Sequence, residues 1–95
     1  MPDSFSDLYK TIESRKTSKH KNSYTKKLFT EGEKKIAQKF GEETFELIID
    51  FLKGSKKRTI EEAVDVIYHL FVLLSAKKIK FNELKKEILK RKNVR

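Results

Sequence analysis

Half of the chain's 14 carboxylates fall within residues 42–65, and their spacing is the first sign of chemistry. Glu43 and Glu46 stand three residues apart, and Glu62 and Asp65 repeat that spacing. In helices each pair lies on adjoining positions of one face. Carboxylates crowded together repel and raise one another's pKa. A hard divalent cation removes the conflict, because Mg²⁺ and Mn²⁺ prefer oxygen ligands in near-octahedral geometry. The surrounding chain sharpens the contrast. Residues 1–39 carry a net charge of +5 and residues 66–95 a net +7, whereas residues 42–65 carry −3. A net-acidic segment inside a chain of +9 is disfavoured unless something cationic sits in it.

For the two pairs to meet, two helices must bring them together. Ile36, Phe40, Leu47, Ile48 and Phe51 follow a helical apolar spacing. They predict a helix from about Thr30, where Thr30 and Glu33 have capping-box spacing, to about Leu52, with Gly54 and Ser55 as the stop. A further helix is predicted from about Thr59 to Ala76, with Val64, Ile67, Leu70, Phe71 and Leu74 on one face. The short connection, residues 53–58, makes the two antiparallel neighbours. At ~1.5 Å per residue the midpoint of Glu43 and Glu46 lies ~11 Å from the hairpin end, and that of Glu62 and Asp65 ~7 Å. That ~4 Å difference is within reach of Glu side chains, so four carboxylates can converge. A plainer reading stands beside this one. Thr59 and Glu62 also have capping-box spacing, and acidic helix faces are commonly solvated.

Two other helices complete the set. Phe5, Leu8 and Ile12 predict one over residues 5–15, with Ser4 or Ser6 as N-cap, and Leu84, Ile88 and Leu89 predict one over residues 81–92. Residues 16–25 are polar and read as a loop. Val66, Val72 and Leu73 add apolar groups outside the main face of the 59–76 helix. A helix apolar nearly all round is buried nearly all round, which three short helices can hardly achieve. The expected architecture is therefore a single all-α domain over residues 1–95. It is a small bundle built on one antiparallel helix hairpin and completed by dimerisation. Gly41, inside the second of the four expected helices, implies close packing, a nearby ligand, or mere tolerance.

Composition excludes several classes. The chain has no Cys, so disulfides and thiolate zinc sites are absent, and only two His, His20 and His69. Three Gly, at 32, 41 and 54, rule out a phosphate-binding loop of the Walker kind or a dinucleotide fingerprint. Neither a membrane span nor a secretory leader is expected from the hydropathy, which reads as a soluble intracellular protein. The positive balance attracts anions. The basic positions form no stripe and no helix-turn-helix pattern is visible, which argues against nucleic acid as the partner.

Glu42-Glu43-x-x-Glu46 followed by Glu62-x-x-Asp65 resembles the signature of the all-α, MazG-type nucleoside triphosphate pyrophosphohydrolases. Along most of the chain, from Leu8 to Arg91, the sequence is similar to one branch, the phosphoribosyl-ATP pyrophosphohydrolases of histidine biosynthesis. The similarity runs through Ser23-Tyr24-Thr25, Lys39-x-Gly41-Glu42-Glu43, Asp65-x-x-Tyr68-His69 and Leu89-x-Arg91. Thr44, where the family usually has a small apolar residue, and the basic overall charge depart from it. The resemblance implies a cytoplasmic enzyme that hydrolyses 1-(5-phosphoribosyl)-ATP to 1-(5-phosphoribosyl)-AMP and pyrophosphate. The alternative is a related pyrophosphatase for another nucleotide. By analogy Glu43, Glu46, Glu62 and Asp65 would hold Mg²⁺ (or Mn²⁺), and Glu42, with Glu43, would carry the catalysis by orienting or deprotonating water. Lys39, Ser23, Thr25 and His69 are candidate substrate contacts. Their plainer roles are a solvated lysine, a helix cap and a hydrogen-bonded structural histidine.

Overall fold

The computed structural model describes residues 3–17 and 23–92. Five helices follow one another, with no strand among the described residues: α1 (Ser4–Lys16), α2 (Tyr24–Glu31), α3 (Glu33–Lys53), α4 (Lys56–Ala76) and α5 (Phe81–Lys92). The all-α hairpin architecture expected from the sequence is the one observed, and α5 has the predicted bounds.

The differences lie at the helix starts. Asp3, not Ser4 or Ser6, caps α1, accepting from the Phe5 N–H at 3.0 Å. Residues 24 and 25, expected in a loop, open a helix of their own, α2, which the sequence reading missed. Ser23 is its N-cap, accepting from Lys26 N–H at 3.2 Å. Thr30 therefore lies in the last turn of α2 and caps nothing. The chain turns into α3 at Gly32, whose φ of +99° belongs to the region that favours glycine. The expected capping box at Thr59 and Glu62 is also overturned. Helix α4 starts three residues earlier, with Ser55 as its cap, accepting from Arg58 N–H at 3.1 Å. Glu62 is thus in the second turn, free of any capping role.

Only Gly54 and Ser55 separate α3 from α4. The tight turn explains the glycine. A Cβ at position 54 would stand 2.7 Å from an Asp50 carboxylate oxygen and 2.9 Å from the Asp50 carbonyl oxygen. The Thr59 hydroxyl closes the turn by donating to the same carbonyl at 3.1 Å.

The core is lopsided. Tyr9, Ile12, Leu28, Ile36, Phe71 and Val72 are buried together, where α1 and α2 pack on the start of α3 and the second half of α4. Phe71 meets Phe5, Tyr9 and Phe81 edge-on, with ring centroids 6.2, 5.3 and 5.7 Å away. Burial pushes the Tyr9 phenol up to about 12, and its hydroxyl donates to the Ile79 carbonyl. The hairpin-turn end has no such cover. Phe51 is 74% exposed and Leu52 70%, with Phe45, Ile60 and Val64 also exposed. The all-round burial expected of α4 is therefore not achieved within one chain.

Candidate active site

The α3–α4 hairpin places the acidic residues across from one another, at a height between the core and the turn. Ligand oxygens of Glu43, Glu62 and Asp65 all lie within 4.8 Å of one another. Glu43 is half-buried, Glu62 is buried and Asp65 is exposed, so the triplet opens to solvent on one side. Glu46, expected as a fourth member, is exposed and lies outside the triplet.

Arg58 and Asp50 belong to the same network and were not singled out in the sequence. One Arg58 nitrogen donates to Glu62 Oε1 at 2.8 Å and lies 3.7 Å from Asp50 Oδ2, while the other donates to Glu61 at 3.1 Å. The signal was available: Asp50 stands seven residues after Glu43, two helical turns along the same stripe, and Arg58 stands four before Glu62.

The guanidinium engages only one oxygen of Glu62. The other, Oε2, is buried without a hydrogen-bond partner among the described residues. Buried polar atoms are rarely left so. Burial first, then the charges of Glu43 and Asp65, push the Glu62 carboxyl above its ordinary range, and Arg58 only partly opposes them. Three oxygen donors, one of them buried and unpartnered, fit a hard divalent cation.

A pH test follows. A carboxyl whose pKa is raised by folding contributes stability below its unfolded value and loses it as pH rises through the folded value. Without divalent metal, this site therefore becomes progressively less favourable to folding as pH rises from ~4 to neutrality. Added Mg²⁺ selects the ionised form of Glu62, so its stabilising effect grows over the same interval. Thermal melts in EDTA and in Mg²⁺ across that range check both trends. An Mg²⁺ effect independent of pH would contradict them.

The other predicted residues divide. Lys39 reaches the cluster, with its ammonium 3.3 Å from Glu42 and 3.9 Å from Glu43. Glu42 is exposed and accepts from Gln38 at 2.8 Å as well. Those two donors, Gln38 foremost, hold its carboxyl below the ordinary range. Ser23 caps α2. Thr25 is buried with its hydroxyl on the Tyr68 hydroxyl. His69 is buried with both ring nitrogens engaged: Nδ1 lies 2.7 Å from the Asp65 carbonyl and Nε2 3.0 Å from the Tyr24 hydroxyl. A carbonyl can only accept, so Nδ1 carries the proton and Tyr24 donates to Nε2. Of these contacts, that of His69 reaches the acidic site, through the Asp65 backbone, while those of Ser23 and Thr25 lie within α2 and on Tyr68.

Gly41 faces open space: a Cβ there would meet nothing within 4 Å, which removes close packing as its reason. Gly41→Ala is expected to raise stability by about 1 kcal/mol, read from urea denaturation. If a ligand passes close to the backbone here, the same variant loses substrate affinity; if glycine is merely tolerated, affinity is unchanged.

Residues 5–93 match the family described as phosphoribosyl-ATP pyrophosphohydrolase. The chain belongs to that family. Among the relatives of this pyrophosphohydrolase family, the phosphoribosyl-ATP pyrophosphatase of Bacillus cereus (strain B4264) is 46% identical over 91 residues, covering 96% of this chain and 85% of that protein. The histidine biosynthesis bifunctional protein HisIE of Staphylococcus aureus (strain N315) is 42% identical over 95 residues, covering all of this chain and 45% of that protein. The chain therefore spans about half the length of the bifunctional relatives and most of the length of the Bacillus protein. The match takes in every carboxylate of the site, from Glu42 to Asp65. No helix among the described residues is long and apolar enough to cross a membrane.

Proposed function

We propose that this chain is a cytoplasmic phosphoribosyl-ATP pyrophosphohydrolase. It hydrolyses the α–β phosphoanhydride of 1-(5-phosphoribosyl)-ATP to give 1-(5-phosphoribosyl)-AMP and pyrophosphate. The observation that carries the reading is the convergence of Glu43, Glu62 and Asp65 in a chain of this family. Those three residues would hold Mg²⁺, with Mn²⁺ as a substitute, and Glu46, one helical turn beyond Glu43, would be the fourth ligand. A cation held there would supply charge neutralisation for the phosphoanhydride oxygens, the main requirement of phosphoryl transfer.

The chain's own residues do the rest. Glu42 accepts a hydrogen bond from the attacking water and orients it. Its lowered pKa makes it a poor proton acceptor, so orientation is its principal part. Glu43 would hold the metal and also pairs with Lys39. Lys39 is drawn to incoming phosphate and leaves its carboxylate partners as substrate enters. His69 fixes the Asp65 turn from below, and Ser23 and Thr25 fix α2 against it. Release of pyrophosphate from phosphoribosyl-ATP with Mg²⁺ tests the proposal. Faster turnover of dUTP or dCTP would assign the site to another nucleotide.

The working unit is a homodimer. The apolar end of the hairpin, Phe45, Phe51, Leu52, Ile60 and Val64, supports this, because so contiguous an exposed apolar surface marks an interaction site. Sedimentation is expected to give twice the chain mass of 11.2 kDa. Phe51→Asp should shift that value to the monomer; a wild-type monomer at micromolar concentration would contradict the assignment.

A further inference from the structure

A groove of ≈170 Å³ runs between α2 and the first half of α3, lined by Tyr24, Lys27, Leu28, Glu31, Lys35 and Lys39. Three lysines and one glutamate are among its six lining residues. Lys27 and Lys35 have no carboxylate within 4 Å among the described residues, so their charge is not spent inside the protein. The groove is continuous with the acidic site through two contacts. Lys39, at its mouth, touches Glu42 and Glu43, and Tyr24, which forms a wall, hydrogen-bonds through His69 to the Asp65 backbone. Along α3, Lys35, Lys39 and Glu43 succeed one another every four residues, so two cations and a carboxylate are neighbours at ~6 Å spacing.

A site that joins carboxylates for a metal to lysines for an anion fits a ligand with phosphate at two separated places. We infer that the Lys27–Lys35–Lys39 groove binds the 5-phosphate of the ligand's N1-ribosyl group, while the triphosphate chain lies on the carboxylates. The inference rests on the reading of the site given under Proposed function. It assigns Lys27 and Lys35 to substrate recognition at a distance from the reacting phosphorus. An ammonium is a point charge on a flexible stem, suited to a phosphate monoester that need only be held.

Two measurements on the full chain test it, with Lys27→Gln/Lys35→Gln as the variant. In steady-state hydrolysis of phosphoribosyl-ATP, KM should rise roughly 10- to 100-fold with kcat within about twofold, the pattern of lost binding shared by ground and transition states. Separately, D-ribose 5-phosphate added without metal should perturb the amide resonances of α2 and of the start of α3 in the wild type, and not in the variant. Inorganic phosphate should do so more weakly. The Mg²⁺-induced thermal shift should be the same in both proteins, which shows that the variant is folded with its carboxylates in place. An unchanged KM, a fall confined to kcat, or ribose 5-phosphate binding that persists in the variant would overturn the assignment. A wild type that binds ribose 5-phosphate in the groove yet hydrolyses no phosphoribosyl-ATP would overturn the proposed activity and leave the groove standing.

Discussion

Glu62→Gln is expected to lower kcat for phosphoribosyl-ATP by on the order of 10²- to 10³-fold, the scale seen when one electrostatic contact to a transition state is removed. The protein should remain folded. The amide is nearly isosteric and still offers an oxygen to the Arg58 guanidinium, now 2.8 Å from Glu62 Oε1. What disappears is a buried charge that Glu43 and Asp65 disfavour. The variant should therefore melt no lower than the wild type in EDTA, while its response to Mg²⁺ is largely lost. The two curves, compared at neutral pH, separate a ligand from a structural carboxylate. If Glu62→Gln unfolded the protein, or left Mg²⁺ stabilisation and turnover intact, Glu62 would not be a ligand.

Phe71→Ala is expected to be the most destabilising single change in the apolar core, at ~3–5 kcal/mol. Phe71 is 4% exposed and its ring is the point at which α1, α4 and α5 meet. Truncation leaves a void that three aromatic edges cannot fill without moving α1 or α5. Against a typical total of ~5–15 kcal/mol for a domain, such a loss removes much of the margin. Urea denaturation at fixed protomer concentration measures it; a loss below ~1 kcal/mol would mean that α1 and α5 contribute little to the native state. The carboxylates lie nearer the α3–α4 turn than this core does, so folded variant at low temperature should keep its response to Mg²⁺.

The hairpin was legible in the sequence because its signals are local. Two periodic apolar segments and a glycine between them leave few alternatives, and the antiparallel pairing brings Glu43 level with Glu62 and Asp65 as the rise per residue predicts. Helix α2 was not legible. Its eight residues start with Tyr24 and the polar Thr25 to Lys27, and only Leu28 is a fully buried apolar side chain, so periodicity had almost nothing to register. Both misread capping boxes share one cause. A Thr three residues before a Glu satisfies the capping pattern wherever it occurs, and backbone geometry alone decides whether it stands at a helix start. Arg58 escaped notice for a different reason. Acidic spacing drew the eye to ligands, whereas the guanidinium that engages one oxygen of Glu62 is itself part of what leaves the other oxygen available.

The two-residue link between α3 and α4 has a kinetic consequence. Contacts close in sequence form early during folding, and Glu43 and Glu62 are separated by only about twenty residues of chain, far fewer than the span over which Tyr9 must find Ile79. The hairpin can therefore zip from Gly54 outward before α1 and α5 arrive, which brings the acidic groups together while the protein is still only partly assembled. Mg²⁺ present during refolding should relieve that early repulsion and speed formation of the hairpin, whereas Mg²⁺ added afterwards would act only on the rate of unfolding.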